Sequence, residues 1–445
     1  MVYFVGAGAG DPELLTLKGK RLIDHADTLI YAGSLVNPEV LAGRKPSSKV
    51  YDSAGMTLEE VLAVMKETEQ AGGTTVRVHT GDASIYGAIR EQLDALDKLG
   101  IAHEVVPGVS SFLAAAAAML LIVFYHMNCE WSARLMESSL VVTKIGAQGY
   151  LGWQGVSLFI LVSGAAQCIS YERCSDLKTY YKKRWWSIFP SFYMAYFVCY
   201  LMGGFGGGVK LFDLSFLWTI TGLDGYASLF GIQSHYLVGE WFIGMILVLY
   251  IVFPVLYALV KRYPKPTLIA AILYYLVMVQ LLGNTGRVDK DILLNVVVFL
   301  AGIYLYRYVK NVSLRTAVAA AVVLCLVVFI PLPERVTWYL FAVEGILWYL
   351  IFMAAGNALD RIKNLPCVIL KKLIGMLSKY SYEIFLLHHV LITVSLSPYE
   401  QNTYYSVGQY LLWALRALAV IGIASWMIYP RWKPKTTKAQ ATKTQ

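Results

Sequence analysis

Charged residues are scarce in this chain. Asp, Glu, Lys and Arg make up 15% of its 445 residues against 57% hydrophobic, and the mean hydropathy is +0.55. No ordinary soluble domain of this size buries so much apolar surface, which excludes a wholly soluble protein. The six cysteines (Cys129, Cys168, Cys174, Cys199, Cys325 and Cys367) form no CxxC pair and no metal-ligand spacing, so no metal site is expected. Most lie in or beside apolar runs and read as small buried hydrophobes. The N-terminus has no basic stretch leading into an apolar core, so no cleaved signal peptide is expected. A concentrated basic patch is missing too. The net charge is +9, but the basic residues sit in short loops between apolar runs, where they mark the cytoplasmic side of a membrane; no nucleic-acid partner is expected. Tyr (31) and Trp (11) are plentiful, as in proteins whose aromatic belts sit at lipid headgroups.

The first part of the chain has a different pattern. Val2-Tyr-Phe-Val5 is a short apolar strand that runs into Gly6-Ala-Gly-Ala-Gly10 and then a helix with Leu14, Leu15, Leu17, Leu22 and Ile23 on its apolar side. Strand, glycine turn and helix together bring backbone close to a nucleotide-like ligand, although a tight structural turn reads the same way. Thr28–Tyr31, Thr74–His79 and His103–Val106 read as further strands, and 57–71 and 84–99 as amphipathic helices. Loops 80–87 and 107–111 follow two strand ends, and ligands of open α/β sheets bind beyond the carboxyl ends of strands. Asp82 could accept hydrogen bonds from a ligand or cap the helix near Ser84.

Val5-Gly-Ala-Gly-Ala-Gly-Asp-Pro-Glu-Leu-Leu-Thr-Leu-Lys-Gly19, Tyr31-Ala-Gly-Ser-Leu-Val36, Thr80-Gly-Asp-Ala-Ser-Ile-Tyr-Gly87 and Pro107-Gly-Val-Ser-Ser111 resemble the tetrapyrrole methylases. Within them the precorrin-4 C11-methyltransferases of cobalamin synthesis match best. The resemblance implies S-adenosylmethionine as cofactor, held by loops matching Gly8, Gly81, Asp82, Ile85, Ser110 and Ser111. Ala9 stands where the family usually has Pro. The resemblance stops near Ala118, whereas such enzymes have a second α/β domain that completes the methyl-donor pocket.

From there on, apolar runs recur at 113–127, 152–171, 188–203, 239–260, 267–283, 290–308, 314–331, 336–357, 378–395 and 406–429. Most reach the ~17–25 residues a helix needs to cross the hydrocarbon core. Lys and Arg are concentrated in alternate loops: Arg173 to Arg184, Lys261 to Lys265, Arg307 to Arg315, Arg361 to Lys379 and the C-terminal tail. The loop 396–405 has none. This bias places both termini in the cytoplasm. The fold expected is therefore multi-domain: an α/β domain over 1–118, then an all-α polytopic membrane domain over 119–445 with about ten transmembrane helices in the lipid bilayer.

Ionisable groups at membrane depth are costly, so His126, Glu240, Glu344, Glu383 and the doublet His388-His389 need an explanation. His126 could also be a polar residue at a span end, and Glu240 a helix N-terminal acid. Adjacent residues on a helix point about 100° apart, so at most one of the doublet is expected to face a common cavity.

Leu-Leu-Ile-Val-Phe-Tyr-His126, Gly-Trp-Gln-Gly-Val-Ser-Leu-Phe-Ile-Leu-Val-Ser-Gly164, Tyr-Lys-Lys-Arg-Trp-Trp-Ser-Ile-Phe-Pro190, Gly-Glu-Trp-Phe242 and Ser-Tyr-Glu-Ile-Phe-Leu-Leu-His-His389, in this order, resemble acyltransferase family 3. These are integral membrane enzymes that O-acylate, often O-acetylate, cell-surface carbohydrates and other extracytoplasmic acceptors. The resemblance implies acyl-CoA, typically acetyl-CoA, as donor and a carbohydrate or glycolipid as acceptor. It maps the family histidine to His126 and the basic-loop arginine to Arg184. Acyl transfer to a hydroxyl needs a base, positive charge for the coenzyme phosphates and donors for the oxyanion. His126 and Glu240 are the catalytic candidates, and Lys182, Lys183 and Arg184 are the candidates for the phosphates. The family normally has an Arg near the start of the first span; that position here is Ala115. Three readings remain open: a membrane O-acyltransferase carrying a truncated methylase domain, a membrane-tethered methyltransferase, or two joined gene fragments of which neither works.

Overall fold

The computed structural model describes residues 1–7, 15, 17–31, 33, 36–79, 89–106, 112–134, 150–172, 174, 176–201, 216–232, 238, 240–282, 290–309, 312–330, 333–361, 365–399 and 406–429. Five strands open the chain: β1 (Val2–Gly6), β2 (Thr28–Tyr31), β3 (Lys49–Asp52), β4 (Thr75–His79) and β5 (His103–Val106). They form one parallel sheet in the order β3-β2-β4-β1-β5. β3 was not expected from the sequence. It is a short edge strand whose Lys49 and Asp52 are exposed, so it carries no apolar run to announce it.

Helices α1 (Leu17–His25), α2 (Leu58–Gln70) and α3 (Arg90–Lys98) accompany the sheet. Alternation along the strands splits the core between its two faces. Val5, Leu29, Val76 and Val78 pack with Ile23 of α1 on one side. Val2, Phe4 and Ile30 pack with Val61 and Met65 of α2 and Leu96 of α3 on the other. Thr57 begins α2 with a capping box, accepting from the Glu60 N–H at 3.2 Å while the Glu60 carboxylate accepts from the Thr57 N–H at 2.7 Å.

The rest of the described chain is helical: α4 (Phe112–Arg134), α5 (Tyr150–Glu172), α6 (Leu177–Leu201), α7 (Phe216–Thr221), α8 (Asp224–Ser228), α9 (Glu240–Arg262), α10 (Pro264–Leu282), α11 (Ile292–Tyr308), α12 (Leu314–Phe329), α13 (Glu334–Arg361), α14 (Leu365–Lys379), α15 (Ser381–Ser395) and α16 (Val407–Ile428). Among the described residues, each of the ten apolar runs is mostly helical. Six of the helices (α4, α5, α9, α10, α13 and α16) are long and apolar enough to cross a membrane, and α11, α12 and α15 are shorter apolar helices. The expected count of about ten spans is therefore not established. The 25 residues of α6 begin with Lys178, Lys182, Lys183 and Arg184, too much charge for a span over that stretch.

The chain divides into two compact units, one of Met1–Ala118, Gln154–Cys174 and Phe253–Ser378, the other of Met119–Trp153, Ser175–Val252 and Lys379–Gln445. In the first, α5 and α11 meet at two glycines. A Cβ on Gly164 would run into the backbone of Phe299, and one on Gly302 into the backbone of Leu161. Each glycine faces the residue three before the other, a reciprocal contact that lets the two backbones touch. Polar side chains then join α5 to α13: Ser157 Oγ donates to the Phe341 carbonyl at 2.7 Å, and Trp348 Nε1 donates to Gln154 Oε1 at 2.9 Å. At the end of α5, Glu172 accepts from Tyr257 and Tyr306 hydroxyls at 2.5 and 2.8 Å, with Arg307 Nη1 at 3.5 Å.

In the second unit α6 is fixed to α9 by adjacent tyrosines. Tyr180 and Tyr181 hydroxyls donate to the Tyr250 and Ile251 carbonyls at 3.3 and 2.8 Å. The reason lies in α9 itself. Pro254 has no N–H, so the Tyr250 carbonyl four residues earlier loses its helical donor. A phenol supplies the missing hydrogen.

Candidate active site

His126 lies on α4 and is half-buried. Two imidazoles from α15 flank it. The rings of His388 and His389 sit 5.0 and 5.1 Å from the His126 ring, centroid to centroid, both roughly edge-on. This corrects the expectation that only one of the doublet could share a site. The 100° between adjacent side chains is bridged because His126 sits between their directions, in edge contact with both. His389 Nε2 also lies 3.6 Å from Glu130 Oε1. Glu130 is four residues beyond His126 on α4, hence on the same helix face.

Asn128 Nδ2 donates to the Phe124 carbonyl at 2.8 Å, and its Oδ1 accepts from the Tyr410 hydroxyl at 2.8 Å. Trp131 packs against Tyr399, Tyr410 and Trp413. Glu383, buried on α15, accepts from Ser191 Oγ of α6 at 2.7 Å. Among the described residues no group of three or more His, Cys, Asp or Glu side chains is placed to hold a metal ion.

The other candidates fare differently. Lys182 and Lys183 are exposed on α6 and Arg184 is half-buried. Three consecutive helical residues fan out over about 200°, so they do not share one direction. Glu240 is the first residue of α9, but its side chain lies outside the described residues. Gly8, Gly81, Asp82, Ile85, Ser110 and Ser111 lie outside them too. The three loops holding those six residues leave the carboxyl ends of β1, β4 and β5, which are neighbours in the sheet. Ala115 stands eleven residues before His126 on α4, three turns and ~16 Å away along the axis and nearly in line with it.

On β4 are two buried ionisable groups. The Arg77 guanidinium is pushed down to about 10 by burial, which nearby Asp52 opposes, and its Nη1 donates to Ser53 Oγ at 2.8 Å. His79, stacked on Phe4, is pushed down to about 3 by burial and by Arg77, so it stays neutral.

Residues 116–431 match the family described as "Acyltransferase domain". The chain belongs to acyltransferase family 3. Its apolar helices make this acyltransferase a multi-pass membrane protein. Residues 1–123 match the "Tetrapyrrole (Corrin/Porphyrin) Methylases". Over that segment the acyltransferase is 55% identical to the cobalt-precorrin-4 C(11)-methyltransferase of Methanocaldococcus jannaschii, covering 26% of this chain and 46% of the relative. It is 49% identical to the enzyme of that name from Priestia megaterium, covering 26% and 45%. Against the precorrin-4 C(11)-methyltransferase of Pseudomonas aeruginosa it is 41% identical, covering 33% and 55%. The chain thus spans about half the length of the curated relatives it matches.

Three features of the site go beyond the catalytic candidates drawn from the sequence. His388 and His389 stood out only as unexplained polar residues, and Glu130 not at all. The signal for Glu130 was present, a carboxylate one helical turn beyond the candidate base.

Proposed function

We propose that the chain transfers an acyl group, typically acetyl, from acyl-CoA to a hydroxyl of a cell-surface carbohydrate or similar acceptor. His126 is the base that takes the hydroxyl proton. The observation that carries this reading is the placing of His126 in a half-buried cluster with two further imidazoles, among apolar helices of an acyltransferase family member. A neutral imidazole in such surroundings is suited to general-base work. Lys182, Lys183 and Arg184 supply positive charge for the coenzyme phosphates, and Glu240 supports the catalytic site. The acyltransferase domain runs over 119–445 in the cell membrane, with both termini on the cytoplasmic side. Membranes containing the protein are expected to consume acyl-CoA only when acceptor is present, and His126→Ala is expected to abolish this. Equal acylation by wild-type and mutant membranes would overturn the assignment.

The α/β segment supports a second activity class. Its parallel sheet brings together the strand ends that carry the methylase motifs, and its relatives are methyltransferases. On this reading residues 1–118 retain part of an S-adenosylmethionine site through Gly8, Gly81, Asp82, Ile85, Ser110 and Ser111. Equilibrium binding of labelled S-adenosylmethionine to the full-length protein tests it. Saturable binding lost in Asp82→Ala supports the reading, and no binding above background rejects it. If neither activity is found, the joined-fragment reading stands.

A further inference from the structure

The corner where α9 meets α10 concentrates positive charge. Lys261 and Arg262 end α9, Lys265 sits in the first turn of α10, and all three are exposed. Lys261 and Arg262 suit the negative end of a helix. Lys265 instead stands at the positive end of α10, whose first turn has no acidic residue. Among the described residues none of the three has an acidic partner. The carboxylate described at these helix ends, Glu172, is already engaged by Tyr257, Tyr306 and Arg307. The corner is well fixed. The Tyr263 N–H and the Thr267 hydroxyl both donate to the Leu259 carbonyl, at 2.8 and 3.2 Å. The Tyr304 hydroxyl of α11 donates to the Pro264 carbonyl at 2.5 Å. The Arg262 guanidinium lies 5.4 Å from the centre of the Tyr263 ring. All these residues belong to the first compact unit.

Beyond the corner α10 is nearly bare. Only Tyr275 and Val279 of its 19 residues are buried. Lys265, Ile269, Ile272 and Leu276 recur at i, i+4, i+7 and i+11 and are all exposed, so they form one stripe along the helix. At 1.5 Å per residue the stripe is about 16 Å long. One leaflet of a hydrocarbon core of about 30 Å is roughly 15 Å deep. We propose that corner and stripe together bind an anionic phospholipid. Its phosphate sits among Lys261, Arg262 and Lys265, and an acyl chain runs along Ile269, Ile272 and Leu276. A free phosphate would use the cations alone, whereas the apolar stripe leading away from Lys265 fits a ligand with a chain. The lysine stems lie along apolar surface while their ammonium groups stay at headgroup level. On the loop-charge reading this end meets the cytoplasmic leaflet, where anionic lipids concentrate. Each cation near such a surface strengthens the attraction about fivefold. The inference does not depend on which residue is the acyl-transfer base.

The test titrates the full-length protein in nonionic detergent with dioctanoyl phosphatidylglycerol, dioctanoyl phosphatidylcholine and glycerol 3-phosphate, following binding by thermophoresis. Expected is saturable binding of phosphatidylglycerol, about tenfold or more tighter than phosphatidylcholine, and no saturation by glycerol 3-phosphate over the same range. Combining Lys261→Gln, Arg262→Gln and Lys265→Gln should weaken phosphatidylglycerol by about tenfold or more and leave phosphatidylcholine within about twofold. If the triple variant does not accumulate, Lys265→Gln alone replaces it, with an expected loss of about fivefold. Equal affinity for the two lipids, or cation variants that bind phosphatidylglycerol like wild type, overturns the proposal. Glycerol 3-phosphate binding as tightly as phosphatidylglycerol would make the corner a phosphate site with no part for α10, and overturns it too. Light scattering covers the remaining occupant. A wild-type dimer that Ile272→Trp splits would mean that a second copy of the chain covers α10, and the lipid assignment falls.

Discussion

The glycine crossing of α5 and α11 predicts an unusual pattern of coupling. A methyl group on Gly164 would stand 3.1 Å from the Phe299 carbonyl carbon, closer still to its oxygen, and one on Gly302 would stand 2.9 Å from the Leu161 carbonyl carbon. These are backbone atoms and cannot swing aside as a side chain would. Relief requires the helices to part by roughly 1 Å, which loosens the dispersion contacts along the whole seam. Either Gly164→Ala or Gly302→Ala should therefore cost about 3 kcal/mol, at the upper end for overpacking. The double substitution should cost about the same as one, because the same separation relieves both clashes and the effects of contacting sites do not add. Gly422→Ala on α16 provides the contrast. A Cβ there meets nothing within 4 Å, and alanine is the better helix former by up to about 1 kcal/mol. The assay is thermal unfolding of detergent-solubilised protein, followed by survival of the monodisperse peak in gel filtration. Single variants as stable as wild type, or a double variant with twice the loss, would refute the reasoning.

The α/β segment should be acid-sensitive through His79. Its folded-state pKa is lowered from 6.5 to about 3, so the native state stays neutral while the unfolded chain gains a proton below pH 6.5. Stability is complete above that pH and falls by about 1.4 kcal/mol per unit toward pH 3, roughly 2 kcal/mol by pH 5. Proteolytic nicking of this segment in the intact protein should rise over that window, and His79→Leu should flatten the rise; an unchanged slope would rule His79 out. Thr57→Ala removes half of the α2 capping box and should cost about 1 kcal/mol, read as faster nicking at neutral pH, with no change if the cap is idle. Ala115→Arg puts a cation in line with His126 three turns earlier on α4. Acyl transfer is expected to rise, and an unchanged rate with normal expression would show that a cation at this position contributes nothing.

Much of the architecture was readable because its signals are periodic and long. The apolar runs needed only counting, and the strands β1, β2, β4 and β5 carry buried Val, Leu, Ile and Phe. β3 escaped because an exposed edge strand needs no apolar face. The site was half legible. His126, Glu383, His388 and His389 stood out as ionisable groups in apolar runs, but which of them meet depends on how α4 packs against α15, and no local pattern encodes a pairing across 262 residues. The doublet shows the limit of helical-wheel reasoning. Two side chains 100° apart can still touch one ring if that ring lies between them.

The tyrosine pair on α6 has a consequence for alignment. Two consecutive donors meet two consecutive carbonyls, at a point where Pro254 has left one of them without its usual partner. Slide either helix by one residue and one hydroxyl or one carbonyl is stranded. The arrangement works as a vernier. It selects a single axial setting of α6 against α9, and with it the height at which Lys182, Lys183 and Arg184 are presented.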